Sequence, residues 1–260
     1  MREAVYVASR NLYPDMATAA KSLIANSSVD RIWFVIEDDD YPHDVPRDIV
    51  RTINMRRQRI FPSSGPNFKT RYSYLCLLRA AYTKFLPKDV AKVLQLDIDT
   101  VVVDDVDELF DIDMGTSWCA MCNEELGTWK PYGPRYYNAG VALFNLEQIR
   151  KDGIDNTVIN FLNSTEVPYI DQDAWSFLGN ERTIDLPVRF NECGMVGYTE
   201  QPAIVHFAGY GNGWTDPDST RCPRREHLRK YREMGWDEAM EMHARRQRAA
   251  ADRAGRHGQE

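Results

Sequence analysis

The stretch VLQLDIDTVVVDD, residues 93–105, decides how the chain folds. An apolar run short enough for one buried strand is cut by two carboxylates, Asp97 and Asp99, one residue apart. Continuous apolar runs of this kind mark strands buried on both faces of a parallel sheet, whereas half-exposed strands alternate. Ligands of open parallel sheets sit beyond the carboxyl ends of the strands, where strand order reverses. Asp97 and Asp99 are therefore either ligand-binding groups or the solvated turn that ends a strand. Two carboxylates in a low-dielectric crevice cost several kcal/mol unless a cation joins them. A D-x-D alone does not separate the two readings.

Working outward, EAVYVA (3–8) reads as a first strand and DMATAAKSLIAN (15–26) as a helix entered at Pro14 and Asp15. RIWFVIEDDD (31–40) is a buried strand running into an acidic loop, with a shorter strand expected near 52–60 and a loop at PSSGP (62–66). Residues 68–86 are expected as one long amphipathic helix stopped by Pro87, followed by the strand AKVLQLDID (91–99) and another at TVVV (100–103). This alternation indicates an α/β domain with a mostly parallel central sheet. In the second half, strands are expected at 117–122, 138–145 and 203–207, and helices at 146–164 and 171–180.

At 260 residues, with 43% hydrophobic and 27% charged, the chain can bury a sizeable core. Its net charge of −7 argues against nucleic acid as a partner and requires a local cation for any phosphate-bearing ligand. The opening apolar run is too short for a signal peptide, no stretch approaches a membrane span, and five irregularly spaced cysteines fit free thiols, so a cytoplasmic location is expected. The sequons at Asn26 and Asn163 are then chance matches, and Cys119-x-x-Cys122 reads as two packed thiols rather than zinc ligands. Residues 224–260 form a polar C-terminal segment with ten Lys and Arg against seven Asp and Glu. It is read as a surface helix with a disordered tail beyond 243, whose basic residues offer peripheral contact with anionic lipid.

His206 bears on the carboxylate question. It ends the apolar run Ala203 to Phe207 and is followed at once by the glycine-rich Gly209-Tyr210-Gly211-Asn212-Gly213-Trp214. A histidine on a strand is commonly a hydrogen-bonded core residue, but a glycine-rich loop beside it lets backbone amides approach phosphate oxygens. Two Asp and one His, completed by diphosphate oxygens, suit Mn²⁺ better than Mg²⁺. Two further polar clusters, Tyr137-Asn138-Ala139-Gly140-Val141 and Tyr169-Ile170-Asp171-Gln172-Asp173, start elements, which is also where a β-bulge at Asn138–Gly140 and a helix cap at Asp171 would stand.

Taken in order, these segments resemble the retaining glycosyltransferases of family 8, the group that includes glycogenin and bacterial lipopolysaccharide glycosyltransferases. The resemblance spans about residues 3–214 and rests on the first strand with Ala8, Ser9, Asn11 and Tyr13, then Arg79, Asp97-Ile98-Asp99, Asn138-Ala139-Gly140, Asp171-Gln172-Asp173 and His206 with Gly209. It implies a GT-A fold over residues 1–223 and a UDP-sugar donor, glucose or galactose, used with Mn²⁺ or alternatively Mg²⁺. It also implies a glycan, lipid or protein acceptor. Carried onto this chain, Asp97, Asp99 and His206 would hold the metal, while Val7, Ala8, Ser9, Asn11, Tyr13 and Ile98 would lie along the nucleoside. Arg79, Gly209 and Asn212 would face the diphosphate, and Asn138, Asp171 and Gln172, with Arg79, would line the reacting sugar.

The family pattern H-x-x-G-x-x-K-P-W is broken here, because Asn212 and Gly213 stand where Lys and Pro are expected. Losing that charge-assisted contact would cost about 2–4 kcal/mol of transition-state stabilisation unless another cation, such as Arg221, Arg224 or Arg225, replaces it. Ser9 and Arg10 also stand where acidic residues are common in bacterial members. A nucleotide-sugar-binding relative without transfer activity, and an unrelated metal-dependent phosphohydrolase or nucleotidyltransferase, are the alternative readings.

Overall fold

A computed structural model describes residues 1–39, 44–124, 135–208, 214–215 and 224–257, with side chains to 252. Its strands are β1 (Glu3–Val7), β2 (Arg31–Ile36), β3 (Val50–Asn54), β4 (Lys92–Leu96), β5 (Thr100–Val102), β6 (Cys119–Asn123), β7 (Tyr137–Asn145), β8 (Thr183–Asp185) and β9 (Ile204–His206). Its helices are α1 (Tyr13–Asn26), α2 (Leu75–Leu78), α3 (Asp107–Asp111), α4 (Leu146–Asp152), α5 (Ile154–Ser164), α6 (Asp171–Leu178), α7 (Arg225–Glu233) and α8 (Trp236–His257).

Seven strands form one sheet in the order β3-β2-β1-β4-β7-β6-β8, and a separate antiparallel pair joins β5 to β9. β1 pairs in parallel with both β2 and β4, while β7 runs antiparallel to β4 and β6 and is the reversed strand of the sheet. Successive residues serve opposite faces. Tyr6, Phe34, Leu94 and Leu96 enter the core shared with α1, and Val5, Val35 and Val93 enter the core shared with α5 and α6. Both faces are covered, which is why these strands read as unbroken apolar runs. The chain leaves β1 toward β2 and β3 on one side and reaches β4 on the other, so order reverses between β1 and β4. The carboxyl ends of those two strands carry Ala8 and Asp97.

Besides β8 and α3, which the sequence reading did not anticipate, the structure departs from it in four places. The helix expected over 68–86 is reduced to α2 and a 3-10 turn at Tyr82–Lys84, linked by i+3 backbone bonds from Arg79, Ala80 and Ala81. The stretch Leu75, Leu77, Leu78, Ala80, Ala81 and Tyr82 is buried on nearly every side, so it has no amphipathic stripe to sustain a long helix. The helix expected over 146–164 breaks into α4 and α5 at Gly153, whose φ of 67° favours glycine. The third strand covers 50–54 rather than 52–60.

The fourth departure is at the C-terminus, where α8 continues to His257 instead of ending near 243. The segment RRQRAAADRA has strong helix formers, and Arg246 pairs with Asp105 at 2.8 Å and Arg245 with Glu241. α7 and α8 pack on α1. Asn26 Nδ2 reaches Tyr231 Oη, and His243 is buried with Nδ1 2.9 Å from Ser27 O. No helix among the described residues is long and apolar enough to cross a membrane.

Cys119 and Cys122 are buried in β6 on opposite cores, bonded to Thr183 Oγ1 and Pro187 O respectively. They therefore do not share one site.

Candidate active site

The end of β4 is held to β7 by a bond from Asp97 N to Gly140 O at 2.8 Å, and to the following turn by Thr100, whose hydroxyl donates to Asp97 O. The turn Asp97–Asp99 then feeds β5, whose partner β9 ends at His206 opposite Thr100, with Phe207 N donating to Asp99 O at 2.9 Å. A sequence separation of more than a hundred residues is closed by this two-stranded ladder. His206 Nε2 lies 3.4 Å from Asp99 Oδ1 and 3.8 Å from Asp97 Oδ2. One ligand atom from each of the three residues lies within 4.8 Å of the others.

These residues fit a divalent cation. Cis ligands at about 2.2 Å from an octahedral ion stand about 3.1 Å apart, so His206 would draw in by about 0.3 Å toward Asp99 and by about 0.7 Å toward Asp97, a shift that side-chain rotation can supply. The surrounding bonds also leave the right atoms free. Asp97 Oδ1 accepts from Arg79 Nη1 at 2.6 Å, which leaves Oδ2 toward His206. His206 Nδ1 donates to Asn191 Oδ1 at 2.9 Å, which fixes the tautomer with the Nε2 lone pair aimed at the carboxylates.

Asn191 is held in turn. Its Nδ2 donates to Asn138 Oδ1 at 2.9 Å, Asn138 Nδ2 donates to Glu124 Oε1 at 2.8 Å, and Gln172 Nε2 donates to the same oxygen at 3.1 Å. Gln172 Oε1 accepts from Ala139 N. Each amide in this buried chain has its orientation set by the next, so the ring of His206 is positioned from the far side of the cleft.

Close approach makes Gly140 necessary. A Cβ there would lie 2.1 Å from His206 Cε1 and 2.5 Å from Nδ1. The register irregularity between β6 and β7, where Cys122 opposes Asn138 but Met121 opposes Ala142, is the bulge expected at Asn138–Gly140. Bulge and site coincide, because the bulge opens room for the imidazole.

Without a cation the site is electrostatically loaded. Burial pushes Asp97 up, partly offset by Arg79 and reinforced by Asp99. Burial acts the same way on Asp99, but the His206 imidazolium outweighs it and holds that carboxyl below its ordinary value. Burial would lower His206, yet Asp99 raises it well above the usual imidazole value. Arg79 spans two carboxylates, with Nε 2.9 Å from Asp171 Oδ2 as well as the bond to Asp97. Burial raises Asp171 to about 6 against the pull of Arg79.

A cavity of about 360 Å³ opens beside this cluster, lined by Tyr72, Asp97, Asp99, Glu124, Tyr136, Asn138, Gly140, Tyr169, Gln172, Met195, His206 and Ala208. Gln172 faces it, whereas Asp171 lies behind in a small hollow with Cys76 and Arg79. The helix cap expected at Asp171 is not made: Ile170 stands at the N-cap without a side-chain bond, and Asp173 instead ties the preceding turn by accepting from Tyr169 N at 2.8 Å and Tyr136 Oη at 2.6 Å. Ile170 precedes them at φ 50°, a strained conformation for a β-branched residue and one that recurs at functional sites.

Of the nucleoside candidates, Val7 ends β1, Ala8 and Tyr13 are buried, Ser9 Oγ donates to Asn11 Oδ1, and Ile98 packs against the core beside them. Gly209 and Asn212 lie outside the described residues, as does Arg221. Arg224, a candidate replacement for the absent lysine, is bound to Glu192 at 3.0 Å and to Thr199 O at 2.9 Å. Sequence reasoning missed Asn191, Glu124, Tyr136, Tyr72 and Met195. None stands in a motif, and only the fold brings them to the cleft.

A nucleotide-binding α/β fold with a D-x-D and histidine cluster at its switch point defines a class, the GT-A glycosyltransferases. The family model for glycosyl transferase family 8 matches residues 4–217, and the chain belongs to that family. Among curated relatives it is 25% identical over 255 residues to a probable glycosyl transferase, Gly, of Streptococcus gordonii, covering 92% of this chain and 36% of that protein. It is 26% identical to general stress protein A of Bacillus subtilis, covering 60% of this chain and 65% of the other. The chain spans about a third of the length of the first two curated relatives it matches. Among solved structures, an active-site mutant of LgtC superposes with a TM-score of 0.69 at 21% identity, covering 88% of this chain and 94% of that one. GlyE of Streptococcus pneumoniae superposes at 0.69 and 20%, covering 92% and 62%. At these identities the structures establish the GT-A fold.

Proposed function

We propose that this chain is a cytoplasmic, Mn²⁺-dependent retaining glycosyltransferase that moves a hexose, glucose or galactose, from a UDP-sugar to a glycan, lipid or protein acceptor. The observation that carries this is the convergence of Asp97 Oδ2, Asp99 Oδ1 and His206 Nε2 at the switch point, with the other faces of Asp97 and His206 already occupied. A bound divalent ion would neutralise charge on the leaving nucleoside diphosphate. The protein's own groups do the remaining work. Arg79 keeps the carboxylates of Asp97 and Asp171 apart and ionised, and the amide chain through Asn138 and Gln172 orients donors toward a sugar in the cavity. Glu124 faces the same cavity with its carboxyl raised by burial, placed to take a hydrogen bond from a hydroxyl. Galactosyltransferase LgtC, similar at a TM-score of 0.64, is known in complex with donor and acceptor sugar analogs, which supports a sugar reading of the cleft.

Residues 1–223 would form the transferase domain, with 224–260 a basic segment that also offers contact to anionic lipid. The test is incubation with Mn²⁺ and a panel of nucleotide sugars, following UDP release with and without EDTA. Turnover of a UDP-sugar that stops with EDTA and with Asp99→Ala is expected. Absence of turnover for every nucleotide sugar, with UDP binding unaffected by Asp99→Ala, would defeat the proposal. UDP-sugar binding without turnover is the outcome that Asn212, in place of lysine, would produce in an inactive relative.

A further inference from the structure

Next to the catalytic cavity lies a second, larger hollow of about 890 Å³, lined by Pro66, Lys69, Thr70, Arg71, Glu166 and Tyr169 among others. Tyr169 is common to both hollows. The guanidinium of Arg71 lies over two rings of the cleft wall, 4.8 Å from the centre of Tyr72 and 5.1 Å from that of Tyr169, and donates to Tyr72 Oη at 2.8 Å. These contacts hold the cation in place without neutralising it. Neither Arg71 nor Lys69 has a carboxylate within ion-pair distance among the described residues, although the chain carries 39 Asp and Glu. Both are exposed. Other arginines are tied to carboxylates, including Arg2, Arg79, Arg182, Arg189 and Arg224. Two unpaired cations against the single carboxylate of Glu166 make this hollow locally positive on an acidic molecule.

Resting on the transferase reading above, we propose that the second hollow is the acceptor-side subsite and that it takes an oxyanion, phosphoryl or carboxylate, carried by the acceptor. The guanidinium fork presents a planar pair of donors to such a group, and Lys69 adds a mobile point charge. The shared ring of Tyr169 then places the attached sugar at the edge of the catalytic cavity. Recognition here selects acceptors by charge. It is independent of the donor nucleotide, which would lie on the far side of Asp97 beside β1.

The test uses the full chain saturated with UDP and Mg²⁺, which blocks the diphosphate site, and ligand-observed NMR to compare glucose 6-phosphate, glucuronate and glucose. At least one anionic sugar is expected to bind about tenfold tighter than glucose, the worth of one exposed charge-assisted contact. The phosphate and carboxylate arms say which group is preferred. Lys69→Glu, at an exposed side chain without a hydrogen bond or ion pair among the described residues, should remove most of this preference and leave UDP affinity unchanged, and Arg71→Gln with Lys69→Glu should abolish it. Equal binding of the three sugars, or a preference that survives the double substitution, overturns the proposal. Failure of the wild-type chain to bind UDP strikes the donor reading instead, and is recorded separately from the sugar titrations.

Discussion

Gly140→Ala is the sharpest probe of the site, because it adds one methyl group at the point where a strand faces the imidazole. The new Cβ would stand 2.1 Å from His206 Cε1, 2.5 Å from Nδ1 and 2.8 Å from Nε2. The strand cannot yield, since Gly140 O accepts the 2.8 Å bond from Asp97 N and the surrounding β7 residues are fully buried. To reach a contact of about 3.5 Å the ring must retreat by roughly 1.4 Å. That displacement breaks the 2.9 Å bond to Asn191 and carries Nε2 away from the carboxylates. Metal ligands tolerate only about 0.2 Å.

Mn²⁺ affinity measured by calorimetry should therefore fall by about tenfold to a hundredfold or more. Urea denaturation in EDTA should show a loss of about 1–3 kcal/mol from overpacking. In a His206→Ala background the methyl meets no ring, so adding Gly140→Ala should cost neither further affinity nor much stability. The pair is expected to be strongly non-additive. Wild-type metal affinity in the single variant, or simple additivity in the double, would refute the reasoning.

Asn191→Ala removes the acceptor that fixes the His206 tautomer, and calorimetric Mn²⁺ affinity should drop by about tenfold to a hundredfold although no ligand is lost. Arg79→Met leaves Asp97 and Asp171 facing each other without a cation, so urea denaturation in EDTA at pH 7 should show a loss of about 3–5 kcal/mol. About 6 is the value Asp171 holds beside Arg79, and without the guanidinium its carboxyl rises further, so the deficit should shrink as pH falls toward about 6 and level off below it; a pH-independent deficit would contradict the role assigned to Arg79.

Asp155 gives a pH prediction far from the metal ligands. It is buried, yet bonds from Lys84, Thr83 and Asn156 N outweigh that burial and hold its carboxyl below the ordinary value. Between the ordinary carboxylate value near 4 and the lower native one, the unfolded chain binds more protons, so stability rises with pH there. The advantage of wild type over Asp155→Asn, about 1–3 kcal/mol, should be complete above roughly pH 5 and fade as pH falls below about 4. A constant difference from pH 3 to 7 would rule this out.

What the sequence determined by itself was whatever local chemistry writes into short stretches. Apolar runs at 4–8 and 32–36, and at 93–96 with Gln95 among them, specified buried parallel strands, and the carboxylates just past the last of them pointed to the carboxyl edge of the sheet. The place of His206 beside those carboxylates was expected because an imidazole followed by a glycine-rich loop is an unusual pairing on a strand, and the structure brings the two together. The helix expected at 68–86 failed for a physical reason. Apolar spacing does not reveal that a segment is buried on all sides, and Arg79 there answers to two distant carboxylates rather than to a helix. Only the tertiary structure could bring Asn191 and Glu124 into one hydrogen-bonded chain with Asn138 and Gln172 behind His206, since those two lie in unremarkable contexts and the bonds span up to 53 residues. The ladder from β5 to β9 likewise decided that Asp99 and His206 meet, because pairing between remote strands depends on how the whole sheet packs.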